Sequence, residues 1–367
     1  MIRIKIAMYE PAGGKAMDRN LMRAYVVKAP FELEERQVPV PEPKEGEALI
    51  RIAYTGICGS DTHAYMGHVP TIKKDVILGH EYSGVIEEIA EGSENPAGLR
   101  KGDKVVGWIV IACGKCDACL GGHTNLCRHL KCYGSQTDGT FREFITAPLS
   151  MLYKIPDDAD LRFYALTEPM AVAVYAVREC PVQLGDTVLV IGGGAIGACT
   201  ALSARMAGAS KVVVAEIAPA KIETIRKLGF EVINSKEENA LERVRELTDG
   251  KGFHCVFEAT GHPSGYELLT KAGCYRAKGM NIGQNWGPSP LITRDIMERE
   301  MRIKAIRIHQ QSVFGLTAAM FATLREEVKA DMYSLITNDY DFDHLKEAFD
   351  FAANDKTYCK IMVKVGK

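Results

Sequence analysis

The stretch Thr187–Gly208, TVLVIGGGAIGACTALSARMAG, decides the fold. Val188–Ile191 reads as a buried strand. Gly192, Gly194 and Gly197 come next at G-x-G-x-x-G spacing. Ile196, Cys199, Leu202 and Met206 then recur at helical spacing, and Gly208 is placed to end the helix. Each glycine has its own physical role. Gly192 permits the tight turn, Gly194 lets the backbone approach a pyrophosphate, and Gly197 lets helix and strand pack closely. The alternative is a glycine-rich turn without a ligand. The next strand, KVVVAE, ends on Glu216, where a carboxylate suits the adenosine ribose hydroxyls and repels a 2′-phosphate. NAD is therefore expected over NADP. A solvated strand end is the other reading of Glu216, and Lys211 and Lys221 keep NADP open. The candidate cofactor contacts are Gly192, Gly194, Ala195, Ile196, Gly197, Glu216 and Lys221.

Outward from this stretch, residues after Pro169 alternate apolar strands with helical runs such as PAKIETIRKLG, the pattern of a parallel sheet. Before it lie short β-type runs, AYVVKAP, EALIRIAYTG, EYSGVIEEIA and DKVVGWIVIA, divided by turns. The tail holds RIKAIRI as a last sheet-like run, helices around LTAAMFATLREEV and FDHLKEAFDFAAN, and a closing strand, CKIMVKV, expected to rejoin the first domain. A chain of 367 residues exceeds the roughly 250–300 that one core usually serves. The expectation is an α/β protein of two domains: a β-rich one over 22–171 and 312–367, and a doubly wound parallel sheet over 172–311. Residues 1–21 are an unassigned arm.

Composition excludes several classes. A formal charge of -2 provides no field for nucleic acid. No apolar run of membrane-spanning length and no secretory leader is visible, so a cytoplasmic protein without a membrane partner is expected.

Eleven cysteines include four in CGKCDACLGGHTNLC: Cys113, Cys116, Cys119 and Cys127. Thiolates at this spacing can surround one Zn²⁺ tetrahedrally, leaving no place for water, so a structural zinc lobe is expected at about 112–128. Two disulfides are the alternative, disfavoured by the cramped spacing in a reducing compartment. Cys132, Cys180, Cys199, Cys255, Cys274 and Cys359 read as ordinary buried or partly buried thiols.

Three further segments hold potential ligands: CGSDTH (58–63), GHEYSG (79–84) and TEPMAVA (167–173). Singly each has a plain reading, Cys58 as a buried thiol, His80 and Glu81 as a polar loop pair, and Glu168 as a charge beside Pro169 at a helix start.

Together with the cysteine lobe and the nucleotide motif, in this order, they resemble the zinc-containing medium-chain dehydrogenase/reductase family from Met22 to the end. The polyol branch is the nearer likeness, because TEPMAVA offers glutamate where ethanol-type members offer cysteine. The resemblance implies a GroES-like catalytic domain beside a Rossmann domain. It further implies a catalytic zinc held by Cys58, His80 and Glu168, with Glu81 able to bind transiently or through water. Asp61 would orient His80, Ser60 would take the alcohol proton and His63 would pass it on. A helix N-cap for Ser60 and a structural role for His63 stay open. The implied reaction is hydride transfer between a secondary alcohol of a polyol, cyclitol or sugar-like molecule and NAD, in a homodimer or homotetramer with two zinc ions per subunit. An amino-alcohol (threonine-type) substrate and a non-catalytic relative are the alternatives.

The likeness thins at MRIKAIRIHQ, where Ala305, Ile306 and Arg307 replace an expected glycine. Arg307 and His309 read as surface side chains, with a reach to substrate or cofactor as the second option. Tyr65, His68, Trp108, Tyr133 and Trp286 are pocket candidates by loop position alone, and packing explains them equally well.

Overall fold

The computed structural model describes residues 21–69, 72, 75–285, 287–355 and 357–366. The N-terminal arm therefore falls outside the described residues except for Leu21, and so does Trp286.

Six strands between 187 and 305 form one parallel sheet, in the spatial order Glu231–Asn234, Lys211–Glu216, Thr187–Ile191, Phe253–Glu258, Gly273–Asn281, Arg302–Ala305. This is the doubly wound order, with the sheet reversing direction of growth beside Thr187–Ile191, where the carboxyl ends of the strands open a crevice. Central strands covered on both faces need continuous apolar runs, and Val188–Val190 and Val213–Val214 are fully buried.

A second, largely antiparallel sheet centres on Glu47–Ile57, which pairs with Glu81–Ile89, Phe144–Pro148 and Lys360–Lys364. The closing strand thus returns to a sheet begun some three hundred residues earlier. It lies parallel to Ile336–Asp341 at that sheet's edge.

Between the two sheets runs the helix Thr167–Glu179, which packs on Ala195–Met206, on Gln311–Thr323 and on the strand Glu81–Ile89. Its first turn carries Glu168 to the junction.

Three local expectations change. The run 316–328 is not one helix: Gln311–Thr323 ends at Leu324, whose ψ of 140° is extended, and a new helix Glu326–Tyr333 begins. Glu326 and Glu327 favour that start, because carboxylates are stabilised at a helix N-terminus. Ser60 is not a cap, since the helix Gly59–Tyr65 has Cys58 at its N-cap position. His309 is not a surface residue but fully buried, whereas Arg307 is exposed. Among the described residues no helix is long and apolar enough to cross a membrane.

Candidate active site

Cys58 closes the central strand and opens the helix Gly59–Tyr65, whose first turn brings Asp61 back toward the strand end. The Asp61 carboxylate accepts from the Cys58 N–H at 3.0 Å and from the Gly79 N–H at 3.1 Å, tying the two loops together. Its Oδ1 lies 3.4 Å from His80 Nδ1. Burial alone would lower the imidazole pKa, but the Asp61 carboxylate raises it well above the ordinary value. A carboxylate on one ring nitrogen fixes the tautomer and leaves the other, more basic, for a metal.

The donor atoms of Cys58, His80 and Glu81 all lie within 4.8 Å of one another. A thiol, an imidazole and a carboxylate at this spacing fit a divalent ion of borderline softness such as zinc. Glu168 is not in that set. Its Oε1 instead accepts from His309 Nε2 at 3.2 Å, and burial, which would raise its pKa, is outweighed by His309, His80 and Lys360, so the carboxyl is held below its ordinary range.

Glu81 has a partner that sequence reasoning missed. Both its oxygens accept from Lys360 Nζ, at 2.7 and 2.8 Å, in a pair with almost no exposure. Burial opposes a charged lysine, yet the Glu81 carboxylate raises the Lys360 pKa above its ordinary value. The pair needs the glycine opposite it: a Cβ on Gly56 would lie 2.1 Å from Glu81 Oε2.

Ser60 and His63 stand exposed on the same helix, and His63 Nδ1 lies 3.5 Å from His68 Nδ1. Tyr65 and Trp108 are buried, and Tyr65 donates to the Phe31 carbonyl at 3.0 Å. Tyr133 is buried too, its hydroxyl bonded to the Thr146 carbonyl.

The four cysteines of the lobe also gather within 4.8 Å. Cys116 Sγ is 3.4 Å from Cys119 Sγ and 4.0 Å from Cys127 Sγ. Those values bracket the ~3.8 Å edge of a tetrahedron of zinc–sulfur bonds and are far beyond a disulfide bond. The Cys113 and His129 N–H groups donate to Cys127 Sγ, and backbone N–H groups of Arg128 and Cys119 bring the Cys116 thiol down to about 6. The residues fit a closed zinc shell. All the other cysteines are buried or partly buried and free.

At the nucleotide end, Gly192 has φ 101°, and a Cβ on Gly197 would lie 1.8 Å from the Gly192 carbonyl oxygen. A Cβ on Gly194, by contrast, would meet only Lys221 Nζ, at 3.9 Å. Open space over the glycine, with a cation at its margin and the helix Ala195–Met206 starting there, is a cradle for a phosphate. Glu216 Oε2 accepts from Gly193 N–H at 2.6 Å, and Oε1 from the Ile217 and Ala218 N–H groups. The carboxylate therefore braces the same turn. Lys211 faces away, bonded to the Leu247 carbonyl and paired with Glu231.

Residues 44–157 match the family model for the alcohol dehydrogenase GroES-like domain, and residues 195–325 match that for zinc-binding dehydrogenases. The chain belongs to the zinc-containing medium-chain dehydrogenase family. Among its relatives are an L-threonine 3-dehydrogenase of Pyrococcus horikoshii, 32% identical over 93% of this chain and 98% of that one, and a sorbitol dehydrogenase of Halalkalibacterium halodurans, 31% identical over 87% and 91%. Solved structures similar to it include a zinc-binding dehydrogenase of Sinorhizobium meliloti bound to NADP, with TM-score 0.86, 26% identity and coverage of 94% and 99%. A dehydrogenase of Escherichia coli complexed with NADH gives TM-score 0.85, 27% identity and coverage of 94% and 100%. The family makes this chain an oxidoreductase, a zinc-dependent alcohol dehydrogenase linked to NAD(P).

Proposed function

We propose that the chain transfers a hydride between the secondary alcohol of a polyol, cyclitol or sugar-like substrate and NAD, using one catalytic and one structural zinc per subunit. The observation that carries the reading is the position of Glu168, a buried carboxylate held by His309 at the start of its helix, beside the Cys58, His80 and Glu81 cluster.

Cys58 and His80 are the fixed ligands of the catalytic ion in this reading, with a carboxylate as the third. Lys360 occupies both oxygens of Glu81, whereas His309 takes only Oε1 of Glu168, so Glu168 Oε2 is the ligand we assign and Glu81 the intermittent one. When bound, zinc supplies Lewis acidity to the alcohol oxygen and the dinucleotide supplies the hydride acceptor. Asp61 holds the His80 ring. Ser60, exposed and two residues beyond Cys58, accepts the alcohol proton in this reading, and His63, one turn further along the helix, hands it toward solvent with His68 beside it. Lys360 keeps Glu81 out of this traffic.

Lys221 and the open face of Gly194 hold the pyrophosphate in this reading. The buried Glu216 carboxylate favours NAD, because a 2′-phosphate brought against it meets a like charge. The four-cysteine lobe holds the second zinc. A homodimer or homotetramer is the assembly we assign, and the β-rich domain comprises 22–171 and 312–367 around a nucleotide domain at 172–311.

A second reading, oxidation of a threonine-like amino alcohol, is favoured by the similarity to the threonine dehydrogenase. One experiment tests both: metal analysis of the purified protein, then a spectrophotometric panel of polyols, cyclitols, sugars and hydroxy amino acids with NAD and NADP. Two zinc ions and NAD reduction by a polyol support the first reading. Activity confined to hydroxy amino acids selects the second, and one zinc or none refutes both.

A further inference from the structure

His309 is the only imidazole among the described residues with no exposure at all. Its ring stacks on Phe314, centroids 5.5 Å apart and planes 17° from parallel. Nε2 donates to Glu168, since an ionised carboxylate can only accept, but the buried Nδ1 has no partner among the described residues. A buried polar atom without a partner costs about 1–3 kcal/mol, and a phenyl ring would stack on Phe314 without that cost. What the imidazole adds is its bond to Glu168. With no accessible surface, it acts on the reaction through that carboxylate and not by touching substrate.

The backbone on either side of His309 is held from elsewhere. Asn125 Nδ2 donates to the Arg307 carbonyl at 3.0 Å, and Gln310 Nε2 lies 3.2 Å from His123 Nδ1. Asn125 and His123 fall between Cys119 and Cys127, inside the lobe, and Asn125 is buried. The geometry points to one continuous linkage. We propose that His309 is a positioning residue that sets the orientation of Glu168 at the catalytic metal, and that the four-cysteine lobe sets the place of His309 by gripping residues 307 and 310. The inference rests on the proposed function, because it takes Glu168 to face the metal. It gives the structural lobe a second role, since the carboxylate of the active site is aligned by a segment that the lobe anchors.

The test compares wild type, His309→Phe, His309→Gln and Asn125→Ala. In each, cobalt is exchanged into the open catalytic site while the closed cysteine shell keeps its zinc. The readouts are the visible cobalt spectrum, retention of the catalytic ion against a chelator, kcat and KM, and the melting temperature. His309→Phe keeps the stacking but offers no donor. It should shift the cobalt bands and weaken metal retention or kcat by about 10- to 100-fold, as loss of a partner behind a ligand does. In His309→Gln the amide nitrogen can reach the place of Nε2, so the bands should return most of the way. Asn125→Ala, which removes no thiol, should shift the same bands in the same direction by less. Wild-type bands and metal retention in His309→Phe overturn the positioning role, even if that variant is less stable. Unchanged bands in Asn125→Ala overturn the link to the lobe. Failure of the functional reading looks different: the wild type itself then takes up no cobalt outside the lobe, and this proposal falls with it.

Discussion

Replacing Lys360 by methionine keeps most of the side-chain volume and removes the charge that faces Glu81. The ammonium lies 2.7 and 2.8 Å from the two carboxylate oxygens, both residues are nearly inaccessible, and a further bond runs from Nζ to the Ile57 carbonyl at 3.3 Å. With charge centres about 4 Å apart and an effective dielectric of about 20, the attraction amounts to about 4 kcal/mol. Forming the pair from water returns little of this, because both ions are desolvated. Breaking it by removing one partner strands the other and costs about 3–5 kcal/mol. For a domain of this size each kcal/mol moves the melting temperature by about 2–4 °C, so Lys360→Met should melt roughly 6–20 °C below wild type. The assay is a double-mutant cycle with Glu81→Gln, followed by calorimetry with zinc present and again after chelation. The double variant has no stranded charge and should recover more than half of the loss. Wild-type melting of Lys360→Met, or a double variant no more stable than the single one, would show two independently tolerated charges instead of a mutual dependency.

Gly197→Ala puts a methyl 1.8 Å from the Gly192 carbonyl oxygen; overpacking costs about 1–3 kcal/mol of stability, so the melting temperature measured by calorimetry should fall by about 2–12 °C while zinc content stays constant, and wild-type melting would contradict the close approach. Cys58→Ser should lower turnover at least about 100-fold and lose one zinc with the melting temperature little changed, whereas Cys116→Ser should lose the other zinc and mainly lower stability; equal stability losses would contradict the division between the two sites. Away from both metals, Asp103 accepts from Lys154 Nζ at 2.6 Å and from the Arg100 N–H at 2.8 Å, and although burial would raise its pKa these partners lower it. A lowered folded-state pKa stabilises above the unfolded value and loses that stability as pH falls through the folded one. The gap between wild type and Asp103→Asn should therefore be about 1–2 kcal/mol at neutral pH and shrink below about pH 4; a gap that grows in acid would reverse the assignment.

What the sequence disclosed was what a short window contains. The glycine turn at 192–197 and the cysteines at 113–127 each combine spacing with chemistry over a dozen or so residues, so their geometry follows from local backbone rules. The alternation of strand and helix after Pro169 likewise carried the parallel sheet. The break at Leu324 was hidden because Leu324 and Arg325 suit a helix by propensity; the new helix starts on Glu326 and Glu327 and buries Val328 and Met332. Lys360 and His309 were hidden for another reason: their partners lie 279 and 141 residues away. A faint signal existed in each case. Lys360 interrupts CKIMVKV at a position where both faces of the strand are covered, and His309 follows the last strand of the parallel sheet at its carboxyl end, where such sheets place ligands.

Lys360 and His309 explain how two carboxylates can share one small buried region. Left alone, Glu81 and Glu168 would repel each other away from water; with their partners in place burial still pushes the Glu81 carboxyl above its ordinary range, whereas Glu168 is held below it. The chain supplies each with a different counter-group from the far end of the sequence: a cation that takes both oxygens of Glu81, and an imidazole that takes one oxygen of Glu168. The difference in denticity is what separates their roles. A carboxylate held at both oxygens is a counter-charge that must break a buried bond before it can bind anything else. One held at a single oxygen is oriented but still has a donor to offer. Asp61 applies the same rule to His80, occupying Nδ1 so that the other nitrogen remains. His80 and Glu168 are therefore each fixed at one atom and left available at another, whereas Glu81 is not, and that asymmetry is built by residues from strands and loops that only the complete fold brings together.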